Sequence, residues 1–552
     1  MNELTKAVSS VTQELFSVDV QAVFTRPDPK FGDFATNVAM VIAGQLNKNS
    51  RVIAEQIAEK LQANNYVAQA SVAGPGFINV RIADSELLAS LLVKPVPTLK
   101  DKTVLVEYSD PNPFKPLHAG HLYTTLVGDS IAQLVQSAGA KTVRINYGGD
   151  VGRHVGISMW AIIKTIGENP DALNDIVEQD RATWLGQRYV EGTEAFESDE
   201  TAKPEIIAAN KKVYATHETN DHQSDFAKIY WTCREWSYTY FARFYTELGV
   251  TPFDRFIPES EVTPLGLVTV KEQLDKGVYE KSDGAIVFKG EPFGLHTRVF
   301  INSEGLPTYE TKDVGLSLTK WQDYTFERSI IITANEQMQY MQTVIKSIEQ
   351  FAPEPASRTT HLTHGVVKMQ GGVKMSSRKG NTVMALDIIA AARDAGIESG
   401  FATTESTVLA AIKYAFLKQR VGGDIIYEPK ESISLAGNSG PYLQYAHARA
   451  KSIMRKANIA ATVPKNLDTQ ERLLVLKISE YTEVLLHAQA EYMPHYICTY
   501  LYELTQVFNR FYENEQVVGS DREAERIYIL NQYARVLKNG LDLLGIDAPE
   551  QM

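Results

Sequence analysis

A β-rich run from Thr103 to Tyr108 leads through a proline-rich loop into an apolar helical series, Leu122, Leu126, Val127, Ile131, Leu134 and Val135. Gly139 closes that series, and Lys141 to Asn146 supplies another strand. Strand, loop, helix and strand in this order are the pattern of a parallel crossover, which commits the middle of the chain to the nucleotide-binding half of an α/β domain. Later β-rich runs at Asp283 to Phe288, Arg298 to Ile301, Ile330 to Thr333 and Gly365 to Met369 are expected to continue the same sheet. The polar stretch between them, densest in charge from Glu191 to Glu200, reads as a solvated insertion spanning about 167–285.

The flanks differ in kind. In the first, Val38, Val41, Ile42 and Leu46 share one helical face and Ile53, Ile57 and Leu61 another, followed by an alternating strand from Gly74 to Ile82. After about Gly437 the pattern is almost wholly helical, with Ile497, Tyr500, Leu501, Leu504, Val507, Phe508 and Phe511 in one stripe. The expected organisation is an α+β module over 1–98, a Rossmann-like parallel-sheet domain over 99–370, a loop and stem-contact region over 371–436, and an all-α bundle over 437–552. With 552 residues, 44% of them hydrophobic, the chain can fill several cores, which excludes disorder and fibrous repeats.

Net charge is −12, and no apolar run approaches the roughly 20 residues of a membrane helix. Only Cys233 and Cys498 occur, and the first residues lack a secretion pattern, so a soluble protein of the reducing cytoplasm is expected. The acidity argues against indiscriminate polyanion binding but leaves local basic faces free to meet RNA.

Three segments carry chemistry. His118-Ala-Gly-His121 stands where strand gives way to helix, so two imidazoles three residues apart join a helix N-terminus that favours an anion. Gly120 between them would let a purine approach the backbone. Far along the chain, Gly371 to Gly380 combines glycines with Lys374, Arg378 and Lys379 and could close over a departing pyrophosphate; alone it would read as a basic surface loop. On the strand Gly74 to Ile82, alternation places Phe77, Asn79 and Arg81 on one face, either an ordinary exposed strand or a surface reading unstacked bases. The basic set Arg449, Lys451, Arg455 and Lys456 leaves a similar choice between a solvated face and a phosphate contact.

As an ordered pair, the histidine motif and the Lys374 loop resemble the HxGH and KMSKS signatures of class I aminoacyl-tRNA synthetases. The stretches Val106 to His121, Pro307 to Gly315 and Tyr442 to Arg449, with Gly32-Asp-Phe-Ala-Thr-Asn37 and Gly74 to Asn79, narrow the resemblance to arginyl-tRNA synthetase along nearly the whole chain. It implies that Lys115, His118, His121 and Lys374 act in catalysis and that His118, Gly120, His121, Lys374, Met375, Ser376 and Ser377 bind ATP, which brings Mg²⁺ with it. Glu107, Tyr309 and Asp313 would hold the guanidinium of arginine, whose fork of donors needs acceptors in matching geometry, while Asn112 and Gln337 orient the substrate's other end. Phe77 and Asn79 would meet the D-loop of tRNA(Arg), and Tyr445, His447 and Arg449 its anticodon. No metal site of the protein's own is expected, and the chain is expected to act as a monomer.

Two departures stand out. Ser377 occupies the place usually held by the second signature's second lysine, and Lys115 could supply the missing charge. Asp110 stands where many relatives carry a small hydroxyl residue, either drawing the substrate ammonium or facing solvent. The rival readings are a class I enzyme for another amino acid, a silent tRNA-binding scaffold and a small nucleotidyltransferase. Acidic Glu107 and Asp313 count against an apolar substrate, both histidines against the scaffold, and the helical bundle against the small enzyme.

Overall fold

A computed structural model describes residues 2–370, 383–400 and 403–552. Lys374, Met375, Ser376 and Ser377 lie outside the described residues.

The first module packs helices Asn2–Phe16, Val38–Leu46 and Ser50–Gln62 on a four-stranded antiparallel sheet. Ile53, Ile57 and Leu61 are wholly buried, as their spacing requires, and Asn49 caps their helix by accepting from the Arg51 N–H at 2.9 Å. Of the other expected face, Val38 and Ile42 are buried and Val41 is turned out to solvent.

The central domain is a five-stranded parallel sheet in the order Thr359–His364, Arg328–Ala334, Thr103–Glu107, Lys141–Gly148, Arg255–Pro258. The chain runs outward from the central strand Thr103–Glu107 first to one edge and then to the other. A topological switch point therefore opens at the carboxyl end of that strand, the place where open α/β sheets bind ligands. Helix Ala119–Ser137 crosses beneath and is buried along most of its length; a side chain at Gly128 would collide with the Tyr108 ring.

Two expectations about this sheet need correction. It resumes at Arg255, inside the stretch expected to be insertion, because the inserted unit is a closed helical layer, Arg181–Ser198, Ala202–Glu218 and Asp225–Leu248, built on helix Arg153–Ile166. The runs at 285–288 and 298–301 leave the parallel sheet and join Glu280–Ser282 in a small antiparallel sheet of their own. Likewise Val367–Met369 pairs with Ile425–Tyr427 and not with the main sheet.

The last domain stacks helices Gly440–Ala457, Thr469–Ser479, Tyr481–Glu491, His495–Asn514 and Glu523–Leu543. Its stripe Ile497, Tyr500, Leu501, Leu504, Phe508 and Phe511 is buried, as the helical period demands. Among the described residues no helix is long and apolar enough to cross a membrane.

Candidate active site

The loop leaving strand Thr103–Glu107 is strained and then pinned. Ser109, Asp110 and Phe114 have φ of 75°, 46° and 67°, a region that side chains disfavour. Ser109 is held by Thr125 at 2.8 Å and Tyr245 at 2.9 Å, and the Phe114 N–H donates to Ser237 Oγ at 2.9 Å. Asp110 accepts the Tyr147 N–H at 2.8 Å, so it turns inward to the neighbouring strand and not to open water. Burial, then the Glu107 charge, pushes its carboxyl well above the usual range. Asn112 accepts the Gly149 N–H at 3.2 Å, and a Cβ at Gly149 would lie 2.3 Å from its oxygen, so any larger residue there would push the Asn112 side chain aside.

This loop delivers His118 as the N-cap of helix Ala119–Ser137. His118 Nδ1 accepts the Gly120 N–H at 3.1 Å, and His121 Nδ1 accepts the His118 N–H at 3.2 Å. The Ala119 N–H goes to the Val383 carbonyl at 2.7 Å. The backbone donors expected to face an anion are thus spent inside the turn, and the space over Gly120 belongs to the His118 ring, 2.9 Å from where a Cβ would sit. What the turn offers instead follows from the tautomers. Two rings that accept at Nδ1 carry their proton at Nε2, so each presents one N–H donor outward. Burial, reinforced by Lys115, lowers the His118 pKa, and burial with the His118 charge lowers that of His121 further, so both rings are neutral donors at pH 7. Lys115 lies over the Tyr189 ring of the helical insertion, 4.1 Å from its centroid.

A small cavity is lined by Glu107, Asp313 and Lys320 among apolar side chains such as Leu316 and Met341. Tyr309, Asp313 and Lys320 project from the single helix Tyr309–Tyr324. Glu107 and Lys320 form a buried ion pair at 2.6 Å. Asp313 accepts the Tyr340 hydroxyl, and burial pushes its carboxyl up to about 8 despite that bond. Tyr309 is half exposed and donates to His154 Nδ1 at 3.3 Å, while His154 Nε2 donates to the Gly149 carbonyl at 2.6 Å. Behind them Lys312 is buried against Glu259. Gln337 is exposed immediately ahead of helix Met338–Glu349, the helix that brings Tyr340 to Asp313.

Sequence reading passed over His154, Lys312, Lys320 and Tyr340. Lys320 had a usable signal, since it follows Asp313 by two helical turns and so shares its face. Tyr340 had none, for it arrives from another helix.

Comparison with known proteins fixes the relationship. The family model described as tRNA synthetases class I (R), catalytic domain, matches residues 85–426, more than half the chain. Two more, the arginyl tRNA synthetase N terminal domain and the DALR anticodon binding domain, match residues 2–82 and 443–552.

The chain belongs to the arginyl-tRNA synthetase family.

Among its relatives, the arginine–tRNA ligase of Flavobacterium psychrophilum is 30% identical over 92% of this chain and 89% of its own. That of Parabacteroides distasonis is 29% identical over 100% and 99%. The arginyl-tRNA synthetase structure from Thermus thermophilus superposes with a TM-score of 0.79 at 24% identity over 100% of both chains. The one from Plasmodium falciparum does so with 0.78 at 23% over 100% of this chain and 99% of its own. At those identities the structures speak for a shared fold.

In this arginyl-tRNA synthetase fold the expected RNA contacts are distributed unevenly. Phe77 is 42% exposed at the start of its strand, but Asn79 is buried between its neighbours Ala35 and Ser71. Alternation correctly put both on one face and could not tell that flanking strands shield the second. Among the described residues nothing hydrogen-bonds the Asn79 amide. In the bundle, the partly buried Arg449 guanidinium lies 4.7 Å from the ring centroid of exposed Tyr445 and 5.3 Å from that of exposed Tyr512. His447 corrects its expectation. It is 1% exposed and its Nδ1 donates to the Pro549 carbonyl at 2.8 Å, so it packs the carboxy-terminal tail instead of facing RNA.

Proposed function

We propose that the chain activates L-arginine with ATP to arginyl-adenylate and transfers the arginyl group to the 3′-terminal adenosine of tRNA(Arg), releasing AMP and pyrophosphate. The observation that supports this reading is that Glu107 ends the central strand and the histidine turn follows it into helix Ala119–Ser137, at the sheet's switch point, in a chain whose three domains match the family models. The arginine carboxylate attacks the α-phosphate in line and pyrophosphate leaves; the terminal adenosine hydroxyl, 2′ in class I relatives, then attacks the acyl carbon and AMP leaves. No enzyme nucleophile is required. The chain's own contribution is placement and charge.

His118 and His121 would donate from Nε2 to phosphate oxygens, and Lys115 would add the positive charge that Ser377 does not carry. Lys374, with Met375, Ser376 and Ser377, is assigned to the nucleotide by the sequence resemblance alone. Mg²⁺ belongs to the ATP substrate in this reading; among the described residues no three acidic, His or Cys side chains converge to hold an ion. Glu107, Tyr309 and Asp313 would take the guanidinium, and Asn112 the substrate's ammonium end. Gln337 would join from its solvent-facing turn. Phe77, Asn79, Tyr445 and Arg449 would contact tRNA by stacking, amide and cation chemistry. The reading takes the enzyme as a cytoplasmic monomer.

Charging assays across the amino acids with tRNA(Arg) test it. Arginine alone should be esterified, and ATP–pyrophosphate exchange should depend on arginine; esterification of another amino acid in preference would overturn the assignment. Running the exchange with and without tRNA tests whether activation requires the RNA, as the family resemblance implies.

A further inference from the structure

The buried cation that lines the small cavity has no role in the reading above. Lys320 and Glu107 are each 2% exposed, and Lys320 Nζ lies 2.6 Å from Glu107 Oε2. Among the described residues Glu107 is the acceptor within hydrogen-bond reach of that ammonium. The other charged or titratable groups facing this place are Asp110 from the strained loop, Asp313 from the helix of Lys320, Tyr147 from the adjacent strand, Tyr340 from helix Met338–Glu349, and further back Glu310 and the Glu259–Lys312 pair. Lys312 is taken up by Glu259, and Lys320 is the cation that acts on Glu107, Asp110 and Asp313.

The pairings also dictate which oxygens remain. Glu107 Oε2 is committed to Lys320, and Asp313 Oδ2 to the Tyr340 hydroxyl. One oxygen is left on each acid, Oε1 and Oδ1. A guanidinium is a rigid planar fork, so two oxygens from different acids must be held at a fixed spacing to serve it, and a carboxylate free to rotate would not hold it. With arginine present, two carboxylates would face two cations, a balance that a buried site needs.

We infer that Lys320 is a positioning residue for substrate selection: by holding Glu107 Oε2 it presents Oε1, together with Asp313 Oδ1, to the guanidinium of arginine. This rests on reading Glu107 as a guanidinium ligand.

The test compares Glu107→Gln, Lys320→Met and the double variant of the full chain, by arginine-dependent pyrophosphate exchange with tRNA(Arg) present. Lys320→Met should raise the KM for arginine about tenfold or more, with kcat within about threefold and the KM for ATP unchanged. In the Glu107→Gln background the same change should add less than about twofold, because the carboxylate it acts through is gone. Should Lys320→Met fail to fold, Lys320→Gln, whose amide still donates to Glu107, should raise the arginine KM at least about threefold. An arginine KM at the wild-type value in the variant that folds, a joint loss of kcat and both KM values, or full additivity in the double variant overturns the inference. If Glu107→Gln leaves the arginine KM unchanged, the reading of Glu107 falls and the inference with it; a raised value there with Lys320 variants unaffected rejects Lys320 alone.

Discussion

The rings of His118 and His121 lie with centroids 3.8 Å apart, tilted by 32°, and each uses Nδ1 to satisfy a backbone N–H of the turn that carries them. One side chain thus does two jobs: Nδ1 caps a helix and Nε2 faces outward. Substitution can separate them. His118→Asn keeps a capping acceptor and should leave thermal stability nearly unchanged while adenylate formation falls by about a hundredfold, the usual effect of losing one donor to developing charge. His118→Ala should lose the same activity and a further ~1 kcal/mol of stability. Exchange kinetics and thermal melts read the two effects separately, and an Asn variant with normal turnover removes His118 from the reaction.

Asp313 makes arginine affinity depend on pH. Burial, opposed by the Tyr340 bond and helped by the Glu107 charge, raises its carboxyl to about 8, so without substrate it is largely protonated at pH 7. A guanidinium binds the carboxylate, and arginine uptake must then expel a proton. The apparent KM for arginine should rise as pH falls below about 8, approaching tenfold per unit, and level off above it. Asp313→Asn should bind arginine weakly with little of that slope; a flat profile in the wild type contradicts the account.

Lys115 is tethered by the insertion, through the Tyr189 ring 4.1 Å below its ammonium. Contacts of this kind are worth about 0.5–2 kcal/mol, so Tyr189→Leu should slow adenylation by roughly 2- to 30-fold, and Tyr189→Phe, which keeps the ring, by much less. Lys115→Ala should lose about a hundredfold in rate with arginine affinity little changed. Equal activities for the Leu and Phe variants would show that the ring does not hold Lys115.

Two histidines on the sheet's edge strand should add to the loss of stability in acid, alongside His121 and His154, which burial also lowers. Burial lowers His361 and His364 to about 4, and His364 sits between the Thr124 hydroxyl at 2.6 Å and the Gly365 carbonyl at 2.8 Å. Above pH 6.5 each is neutral folded or unfolded and contributes nothing to pH dependence. Between 6.5 and about 4 the unfolded chain takes up the proton and the folded one does not, so each costs up to ~1.4 kcal/mol per pH unit. Denaturant midpoints should therefore fall through that window and fall less steeply in His364→Gln.

What the sequence disclosed was whatever repeats at a local period. The strand, histidine turn and helix from Thr103 to Ser137 and the stripe Ile497 to Phe511 appear where the 2.0 and 3.6 periodicities put them. The four-residue strand Arg255–Pro258 was hidden because so short a run has little period to read. The insertion's helices likewise looked like polar surface, since the face they bury is supplied by one another. The site was legible in its motif residues and opaque in their partners: Glu107 and Lys320 are 213 positions apart, and Asp313 meets Tyr340 from another helix. His447 failed for the same reason, because the tail carbonyl it serves lies 102 residues away.

The two terminal domains share a buried cation, which yields the last expectation; Arg26 beside Glu480 and Glu483, and Arg535 donating to the Leu91 carbonyl, tie them at more exposed places. Arg472, on bundle helix Thr469–Ser479, is 5% exposed and reaches Asp33, Asp84 and the Ile82 carbonyl of the first module, while the Leu467 N–H donates to Asp84 at 2.9 Å. Asp33 in turn accepts the Ile82 N–H at 2.7 Å, so the guanidinium is tied to the end of the strand that carries Phe77 and Asn79. Removing it strands two carboxylates at a buried interface, and losses of this kind run to about 3–5 kcal/mol. Arg472→Met should lower the denaturant midpoint and speed amide exchange along Phe77–Ile82, with the central sheet little affected. Charging of tRNA(Arg) should suffer more than binding of arginine or ATP if, as proposed, both domains contact the RNA, because this tie helps set their spacing. Adding Asp33→Leu should recover part of the stability without restoring charging. A midpoint unmoved by Arg472→Met would mean that packing and the remaining polar ties of Arg26 and Arg535 hold the domains without it.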